Sequence, residues 1–305
     1  MNLKKGSAFN SKILLFGEYS LMKGSMALSI PNSKLTGRLL FEKSSENIIS
    51  KHYSVVYLLE YLDFLKKNNF EGLIDIYTFK SDLEKGLYFE CNIPISYGLG
   101  SSGAIVASIY EAYGINKAAD LDKLKSIFSK MESYYHGKSS GLDPLVSYLN
   151  KAILINEDGE LETVKLPEEN KDSNSGIFLL DTKSIGETQP LVNWFLKEYE
   201  NSDYKNNIQN QLIPLNNRSI TDFLSGNKTS LLHGVKSISK FTFENFKPMI
   251  PLSIEEIWKN GLETDDYYLK LCGSGGGGMM LGFSNNLKDT LNELENFYIQ
   301  ILRKY

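Results

Sequence analysis

The chain has 305 residues, of which 42% are hydrophobic, and a formal net charge of -4 from 37 acidic and 33 basic residues. This length allows two domains with substantial cores. The charge balance lacks the basic surface that nucleic-acid binding usually requires, so we expect no nucleic-acid partner.

The cysteines and the apolar segments bear on the compartment. Cys91 and Cys272 are far apart and show neither a CxxC motif nor a paired-histidine spacing, so a reducing compartment is expected. The N-terminal apolar stretch is broken by polar residues and lacks a small-residue cleavage site, which argues against a signal peptide. The most apolar segment, Val55–Leu65, contains Glu60 and Asp63 and is shorter than the roughly 20 residues of a membrane span. We therefore expect a cytoplasmic chain with no membrane partner.

The first half of the sequence alternates between strand-like and helix-like patterns. The segment KILLFGEYSLMKGSMALSIP predicts a strand, a tight turn and a second strand, and a helix is expected over Lys51–Asn69. LIDIYTF (Leu73–Phe79) and LYFECNIPI (Leu87–Ile95) predict two more strands. After a glycine cluster, AIVASIYEAYG predicts a helix that ends at Gly114. Asp120 is expected to cap the next helix, which ends near His136.

The second half begins after a polar stretch. KAILI, ending at Ile155, predicts a strand, and PEENKDSNSG (Pro167–Gly176) is the best candidate for a domain boundary. We accordingly expect domains at residues 1–170 and 171–305. GIFLLDT predicts a buried strand, helices are expected around Leu191–Tyr199 and Ser230–Phe246, and YYLKLCGSGGGGMMLGF places a glycine loop between two strands.

Three segments carry glycine together with polar residues: YGLGSSG from Tyr97, HGKSSGLDP from His136 and CGSGGGG from Cys272. Glycines at the start of a helix allow close approach of a ligand, and the helix start favours an anion. GLGSSG has this setting, and its serines add hydroxyl groups that a simple turn does not need. A plain strand-to-helix turn is the alternative.

The GxGxxG spacing of Gly98, Gly100 and Gly103 also matches a dinucleotide-binding fingerprint, with Asp120 at about the distance of the ribose-binding acid. That fingerprint needs the acid at the end of a second parallel strand, whereas Asp120 precedes a predicted helix. The sequence context therefore disfavours this interpretation. A Walker A loop is absent as well, because neither glycine cluster ends in Gly-Lys-Ser or Gly-Lys-Thr.

HGKSSGLDP is dense in polar groups, and a solvated turn is as good an interpretation as a functional one. Lys12 favours the functional interpretation of this segment, because it precedes the apolar run ILLF and is followed by Glu18 and Tyr19. Lys12 could extend to solvent from a strand end. Alternatively, it is a cation held beside a carboxylate and an attacking hydroxyl, as phosphoryl transfer requires.

Taken together, KILLFGEYSLMKG, PISYGLGSSGA, HGKSSGLDP and KLCGSGGGG resemble the motifs of the GHMP kinases in order and rough spacing, from Lys12 to Phe283. HGKSSGLDP is most similar to the mevalonate kinase form of its segment, whereas GEY at Gly17–Tyr19 is usual in phosphomevalonate kinases. The resemblance implies an α+β fold of two domains. The N-terminal one is similar to ribosomal protein S5 domain 2, the C-terminal one is ferredoxin-like, and the active site lies between them.

The resemblance also implies the chemistry and the residues that perform it. The expected reaction is ATP-dependent phosphorylation of a small-molecule alcohol, with mevalonate as the leading candidate. Asp143 is expected to be the catalytic base and Lys12 its partner. Three sets follow by motif position: Gly98, Leu99, Gly100, Ser101, Ser102 and Gly103 for ATP; Ser102 and Glu132 for Mg²⁺; Lys12, Glu18, Tyr19, Gly273, Ser274 and Gly275 for the alcohol. From its helix alone, Glu132 would pass for a solvated charge beside an apolar stripe.

Four positions depart from the family pattern and bear on the substrate. Tyr19 and Lys23 replace histidines, Gly103 stands where alanine is frequent, and Pro144 follows the aspartate in place of asparagine. Phosphomevalonate kinase, another GHMP small-molecule kinase and a non-catalytic ligand-binding relative remain alternatives. The sequence leaves the oligomeric state open between a monomer and a homodimer.

Overall fold

The computed structural model describes residues 6–41 and 48–305, and the side chains of residues 48–53 and His136 lie outside this description. The described residues form two compact units. Those of the first fall within Met1–Lys12, Pro31–Pro94 and Gly100–Lys151; those of the second fall within Ile13–Ile30, Ile95–Leu99 and Ala152–Tyr305. The domain boundary at residues 170 and 171 stays a prediction.

The first unit is mainly helical. Its helices are α1 (Ile48–Lys67), α2 (Ile76–Glu84), α3 (Ser101–Tyr113), α4 (Leu121–His136) and α5 (Leu142–Leu149). Strands β1 (Phe9–Phe16) and β2 (Ala27–Phe41) contribute residues to both units, and β3 (Leu87–Cys91) belongs to the first. β2 and β3 pair antiparallel, with Gly37 opposite Cys91 and Phe41 opposite Leu87.

The strand predicted over Leu73–Phe79 is wrong, because most of this segment belongs to α2. The Asp75 carboxylate caps the helix by accepting hydrogen bonds from the Thr78 backbone N–H at 3.0 Å and the Thr78 hydroxyl at 2.6 Å. Phe79 and Leu83 are buried four residues apart, as one face of a helix requires. The cap and this buried face override the strand-like alternation of the sequence.

The second unit combines antiparallel strands with helices. Its strands are β4 (Ala152–Ile155), β5 (Leu161–Val164), β6 (Gly176–Asp181), β7 (Tyr267–Leu271), β8 (Met279–Ser284) and β9 (Ile299–Lys304). Its helices are α6 (Thr188–Glu198), α7 (Ser202–Asn207), α8 (Ile213–Leu224), α9 (Lys228–Asn245), α10 (Leu252–Thr264) and α11 (Leu287–Glu293). Shorter helical turns cover Ser20–Lys23, Ile208–Leu212 and Lys247–Met249.

The described strands form two sheets. One has five strands in the order β1-β2-β4-β5, with β3 also paired to β2, and the other has four strands in the order β7-β8-β6-β9. All three pairings of the second sheet are antiparallel, and every residue of β7 and β8 is buried. The CGSGGGG segment joins β7 to its neighbour β8, so it is the loop of a buried hairpin.

Several sequence predictions are confirmed at this level. Helix α3 begins directly after Gly100, and strand β4 covers the predicted KAILI segment except for Lys151. The Asp120 side chain accepts a hydrogen bond from the Lys123 backbone N–H at 2.8 Å as the cap of α4. Asp120 therefore has a local structural role, which agrees with the rejection of a dinucleotide fingerprint. Among the described residues, no helix combines the length and the apolar character needed to cross a membrane.

Candidate active site

Lys12 and Asp143 form an ion pair within the first unit. The Lys12 Nζ lies 3.0 Å from the Asp143 Oδ1, and the two side chains are 8% and 29% exposed. This burial excludes the alternative in which Lys12 extends to solvent from a strand end. The carboxylate keeps part of its surface accessible, so the pair combines a shielded cation with a base that a ligand can reach.

The local fold fixes Asp143 at the start of a helix. Asp143 lies in the first turn of α5, where the helix dipole favours a negative charge. Two serines hold the preceding turn: the Ser139 Oγ accepts from the Gly141 N–H at 3.0 Å, and the Ser140 Oγ accepts from the Leu142 N–H at 3.3 Å. The polar residues of HGKSSGLDP therefore order the turn that presents the carboxylate.

Glu132 lies on α4 and is 2% exposed, so the interpretation of a solvated charge is wrong. The Ser102 hydroxyl donates to its Oε1 at 2.9 Å, and the Ser139 hydroxyl donates to its Oε2. Burial, followed by the negative charge of Asp143, raises the pKa of Glu132 to about 7, while the two serine hydrogen bonds and Lys12 act in the opposite direction. A buried carboxyl near a second carboxylate is a site that favours a cation.

The glycines at the start of α3 allow it to approach this cluster closely. Gly100 has a φ of 76°, and a Cβ there would lie 2.8 Å from the Lys12 Cγ and 3.5 Å from the Asp143 Oδ2. A Cβ on Gly103 would lie 2.8 Å from the carbonyl carbon of Asp143 and 2.9 Å from the Pro144 nitrogen. The first N–H groups of a helix have no acceptor within it and favour anions. The first unit thus brings the start of α3, a position that favours an anion, against an ion pair.

The oxygen donors of this cluster fit a magnesium ion. Ser102 and Glu132 supply a hydroxyl and a carboxylate, which are hard ligands, and their hydrogen bond shows that the two oxygens are neighbours. The described residues contain no cluster of three or more His, Cys, Asp or Glu side chains that could hold a metal alone. Magnesium is commonly bound by one or two protein ligands together with phosphates and water, so this donor set suffices.

A second set of predicted residues lies in the second unit, where Glu18 forms a buried ion pair. The Lys270 Nζ donates to the Glu18 Oε1 at 2.6 Å and to the Leu271 carbonyl at 3.0 Å. The Lys270 and Glu18 side chains are 2% and 7% exposed. Sequence reasoning missed Lys270, although a single charge inside the apolar strand YYLKL was the available signal.

Tyr19 is also buried in the second unit. Its hydroxyl donates to the Ser274 carbonyl at 2.6 Å, and its ring packs against those of Phe195 and Phe246 at 5.0 and 5.6 Å between centroids. Burial, and then the charge of Glu18, raises the pKa of Tyr19 well above its usual value, so the phenol stays neutral. A phenol has one proton to donate. The Tyr19 hydroxyl donates that proton to the Ser274 carbonyl, so towards a ligand it can act only as a hydrogen-bond acceptor.

The remaining predicted residues of this unit surround the loop after β7. A Cβ on Gly98 would lie 2.8 Å from the Cys272 carbonyl oxygen, and Leu99 is a buried apolar side chain. The Ser274 hydroxyl shares a 3.0 Å hydrogen bond with that of Thr188, a residue that the sequence analysis did not single out. The structure therefore brings together Gly98, Tyr19 and Ser274 around one loop.

Comparison with known proteins shows which family this chain resembles. Residues 57–151 match the protein-family model described as GHMP kinases N terminal domain. A curated mevalonate kinase from Archaeoglobus fulgidus is 28% identical over 165 residues, which cover 50% of this chain. The match spans 52% of that relative, about half of its length.

Solved structures extend the likeness to nearly the whole chain. The L. major mevalonate kinase in complex with R-mevalonate superposes with a TM-score of 0.67 at 14% identity, covering 97% of this chain and 95% of that one. The Methanococcus jannaschii mevalonate kinase gives 0.63 at 20% identity, covering 98% of each chain. The chain has the GHMP kinase fold. The resemblance to this superfamily and the α+β, two-domain fold predicted from the sequence are confirmed.

The GHMP kinase fold alone does not determine which substrate a protein binds. The Streptococcus pneumoniae phosphomevalonate kinase has a TM-score of 0.60 at 16% identity, covering 97% of this chain and 98% of that one. The Lactococcus lactis galactokinase complexed with galactose has a TM-score of 0.63 at 15% identity, covering 99% and 94%. Substrate identity has to come from the side chains of the site and from assay.

Proposed function

We propose that this protein transfers the γ-phosphate of ATP to the primary hydroxyl of a small alcohol, and that the alcohol is mevalonate. The observation that carries the proposal is the Lys12–Asp143 ion pair, held at 3.0 Å against the glycine-led start of α3. An accessible carboxylate, a shielded ammonium and an anion-binding helix start are the groups that phosphoryl transfer to an alcohol requires.

Asp143 acts as the general base. In the proposed step the substrate hydroxyl oxygen bonds to the γ-phosphorus, the bond between that phosphorus and the ADP oxygen breaks, and the Asp143 carboxylate takes the hydroxyl proton. Lys12 pairs with the Asp143 carboxylate and favours the developing alkoxide. Positioned acid–base groups typically contribute about 10²- to 10⁴-fold.

The helix start and the buried carboxyl account for the polyphosphate. In the proposal, the backbone of Gly98–Gly103 binds the phosphates of ATP, and Ser102 and Glu132 hold Mg²⁺ with their hydroxyl and carboxylate oxygens. When bound, the ion supplies charge neutralisation of the β- and γ-phosphates. The burial of Glu132 and its hydrogen bond from Ser102 support this assignment.

Mevalonate is favoured over other alcohols by two observations. HGKSSGLDP, the segment that contains Asp143, is most similar to its mevalonate kinase form, and the curated relative that matches half of this chain is a mevalonate kinase. One feature favours phosphomevalonate as the second candidate, because GEY at Gly17–Tyr19 is the form usual in phosphomevalonate kinases. Roles in alcohol binding for Gly273, Ser274 and Gly275 form part of the proposal.

An ATP-consumption assay against mevalonate, phosphomevalonate, homoserine and galactose tests the function. We expect turnover of mevalonate with a kcat/KM at least tenfold above that for the other three alcohols, and its loss in Asp143→Asn. Preference for phosphomevalonate would select the second candidate. A folded protein that binds ATP yet turns over none of the four alcohols would contradict the proposed reaction.

A further inference from the structure

The glycine loop of the second unit, Gly273–Gly278, needs external support to hold one conformation. Gly273, Gly275, Gly276 and Gly278 have φ between 70° and 83°, a region that glycine enters at little cost. Glycine also loses more conformational freedom on ordering than any other residue. A loop of this composition keeps a defined shape only where contacts fix it.

Contacts from several segments of the same unit fix the loop. The Gly276 N–H donates to the Met249 carbonyl and the Gly278 N–H donates to the Ser184 carbonyl, each at 2.7 Å. The Tyr19 hydroxyl donates to the Ser274 carbonyl at 2.6 Å. This last contact comes from the GEY turn, in which Glu18 directly precedes Tyr19.

The ion pair of Glu18 with Lys270 connects the GEY turn to the strand that leads into the glycine loop. Lys270 lies two residues before Cys272 in β7, so it stands at the entrance of the glycine loop, and Glu18 directly precedes Tyr19. The Lys270 ammonium also lies 5.5 Å from the centre of the Phe16 ring, in the strand that leads into the GEY turn. The pair and the Tyr19 hydrogen bond thus form two consecutive links between the turn and the loop.

Stability alone does not explain a pair buried this deeply. Desolvation of two charges offsets much of their attraction, and apolar residues of similar volume often replace such pairs without loss of stability. A cavity of about 20 Å³, enough for one water molecule, adjoins the pair and is lined in part by Glu18, Lys270 and Thr242. Because stability alone does not explain the pair, we attribute to its directional hydrogen bonds a role in fixing the positions of the GEY turn and β7.

We infer that the Glu18–Lys270 pair positions the glycine loop Gly273–Gly278 for binding of the alcohol substrate, acting through Tyr19. Glu18 is then a positioning residue whose carboxylate holds Lys270. This inference deepens the proposed function, and its kinetic readout rests on that function. Its second readout, hydrogen exchange of the loop amides, does not.

The experiment compares three variants of the full chain with the parent. Lys270→Met removes the ammonium and leaves the Glu18 carboxylate buried, whereas Glu18→Gln/Lys270→Met removes both charges at similar volume. Lys236→Met is the matched control, because Lys236 pairs with Asp265 in the same unit but at the surface. Thermal melting, deuterium uptake of peptides covering residues 272–279, and KM and kcat with mevalonate are measured on each protein.

We expect Lys270→Met to melt earlier than the parent and the double variant to regain most of the loss. In both, uptake at the loop amides accelerates at least tenfold, and the KM for mevalonate rises at least tenfold while kcat falls less than threefold. The control Lys236→Met leaves uptake and KM at parental values.

Two outcomes overturn the inference. A folded double variant with parental uptake shows that the pair does not hold the loop. Faster uptake with an unchanged KM shows that the loop, though held by the pair, does not serve the alcohol. If the parent phosphorylates none of the alcohols, the proposed function fails, and uptake alone decides whether Glu18 and Lys270 position the loop.

Discussion

Replacing Asp143 by asparagine separates chemistry from binding in the first unit. The amide keeps the shape of the carboxylate and can still accept a hydrogen bond from Lys12, 3.0 Å away in the parent. It cannot take a proton from an alcohol. We therefore expect turnover to fall by about 10²- to 10⁴-fold, or roughly 3–5 kcal/mol of transition-state stabilisation.

The expected loss of stability is smaller and has two sources. Asp143 is 29% exposed, so solvent screens its attraction to Lys12, and an ion pair of this kind contributes about 1 kcal/mol or less. Removing the negative charge from the first turn of α5 costs a further 0.3–1 kcal/mol, roughly. The free energy of unfolding should thus fall by no more than about 2 kcal/mol, below the change in activation free energy.

Single-turnover kinetics, ATP titration calorimetry and thermal melting on one preparation distinguish the two effects. Asp122→Asn is the matched control, because Asp122 occupies the first turn of α4 and is exposed. It should lose a comparable helix-end charge without losing activity. A folded Asp143→Asn protein with near-parental turnover, or an Asp122→Asn protein equally impaired in turnover, would refute the role of Asp143 as base.

Three further substitutions test other parts of the fold and site. Glu132→Gln should raise the Mg²⁺ concentration needed for half-maximal turnover, and an unchanged magnesium titration would remove Glu132 from the metal site. Gly103→Ala should cost about 1–3 kcal/mol in urea unfolding, because its Cβ meets the Asp143 backbone, whereas Gly72→Ala, with open space around it, should cost far less. Asp75→Ala should cost about 1 kcal/mol at pH 7. Hydrogen bonds from Thr78 lower the pKa of Asp75. The difference in free energy of unfolding between parent and variant should therefore be complete above pH about 4 and vanish as the pH falls through the pKa of Asp75 in the folded protein. A difference that does not depend on pH contradicts the cap.

Sequence reasoning succeeded where local signals and tertiary packing agree. Asp120 lies before an apolar stripe of helical spacing, and it caps α4 as predicted. It failed at Leu73–Phe79, where alternation of apolar residues pointed to a strand. The Asp75 cap was readable from the sequence, but the burial of Phe79 and Leu83 on one helix face depends on the neighbours of α2, which no local pattern contains.

The candidate site shows the same division. The glycine motifs and Asp143 were found because their composition is unusual for a plain turn. Glu132 could not be distinguished from a solvated charge without the resemblance, because Ser102 and Ser139, the serines that donate hydrogen bonds to it, lie on other segments. Lys270 was overlooked because the chain gives no sign that Glu18, 252 residues away, neutralises it.

That separation along the chain has a consequence for biosynthesis. Glu18 and Tyr19 are synthesised before their partners Lys270 and Ser274, which are added 252 and 255 residues later. At about 5–20 residues per second, roughly 10–50 s pass between the synthesis of Glu18 and that of Lys270, whose ammonium pairs with the Glu18 carboxylate. During that interval Glu18 has to remain solvated, so the turn cannot be buried in its final form before β7 is made. The second unit therefore completes its fold only after β7 is made, and a nascent chain stalled before Lys270 leaves the turn without the strand that orders it.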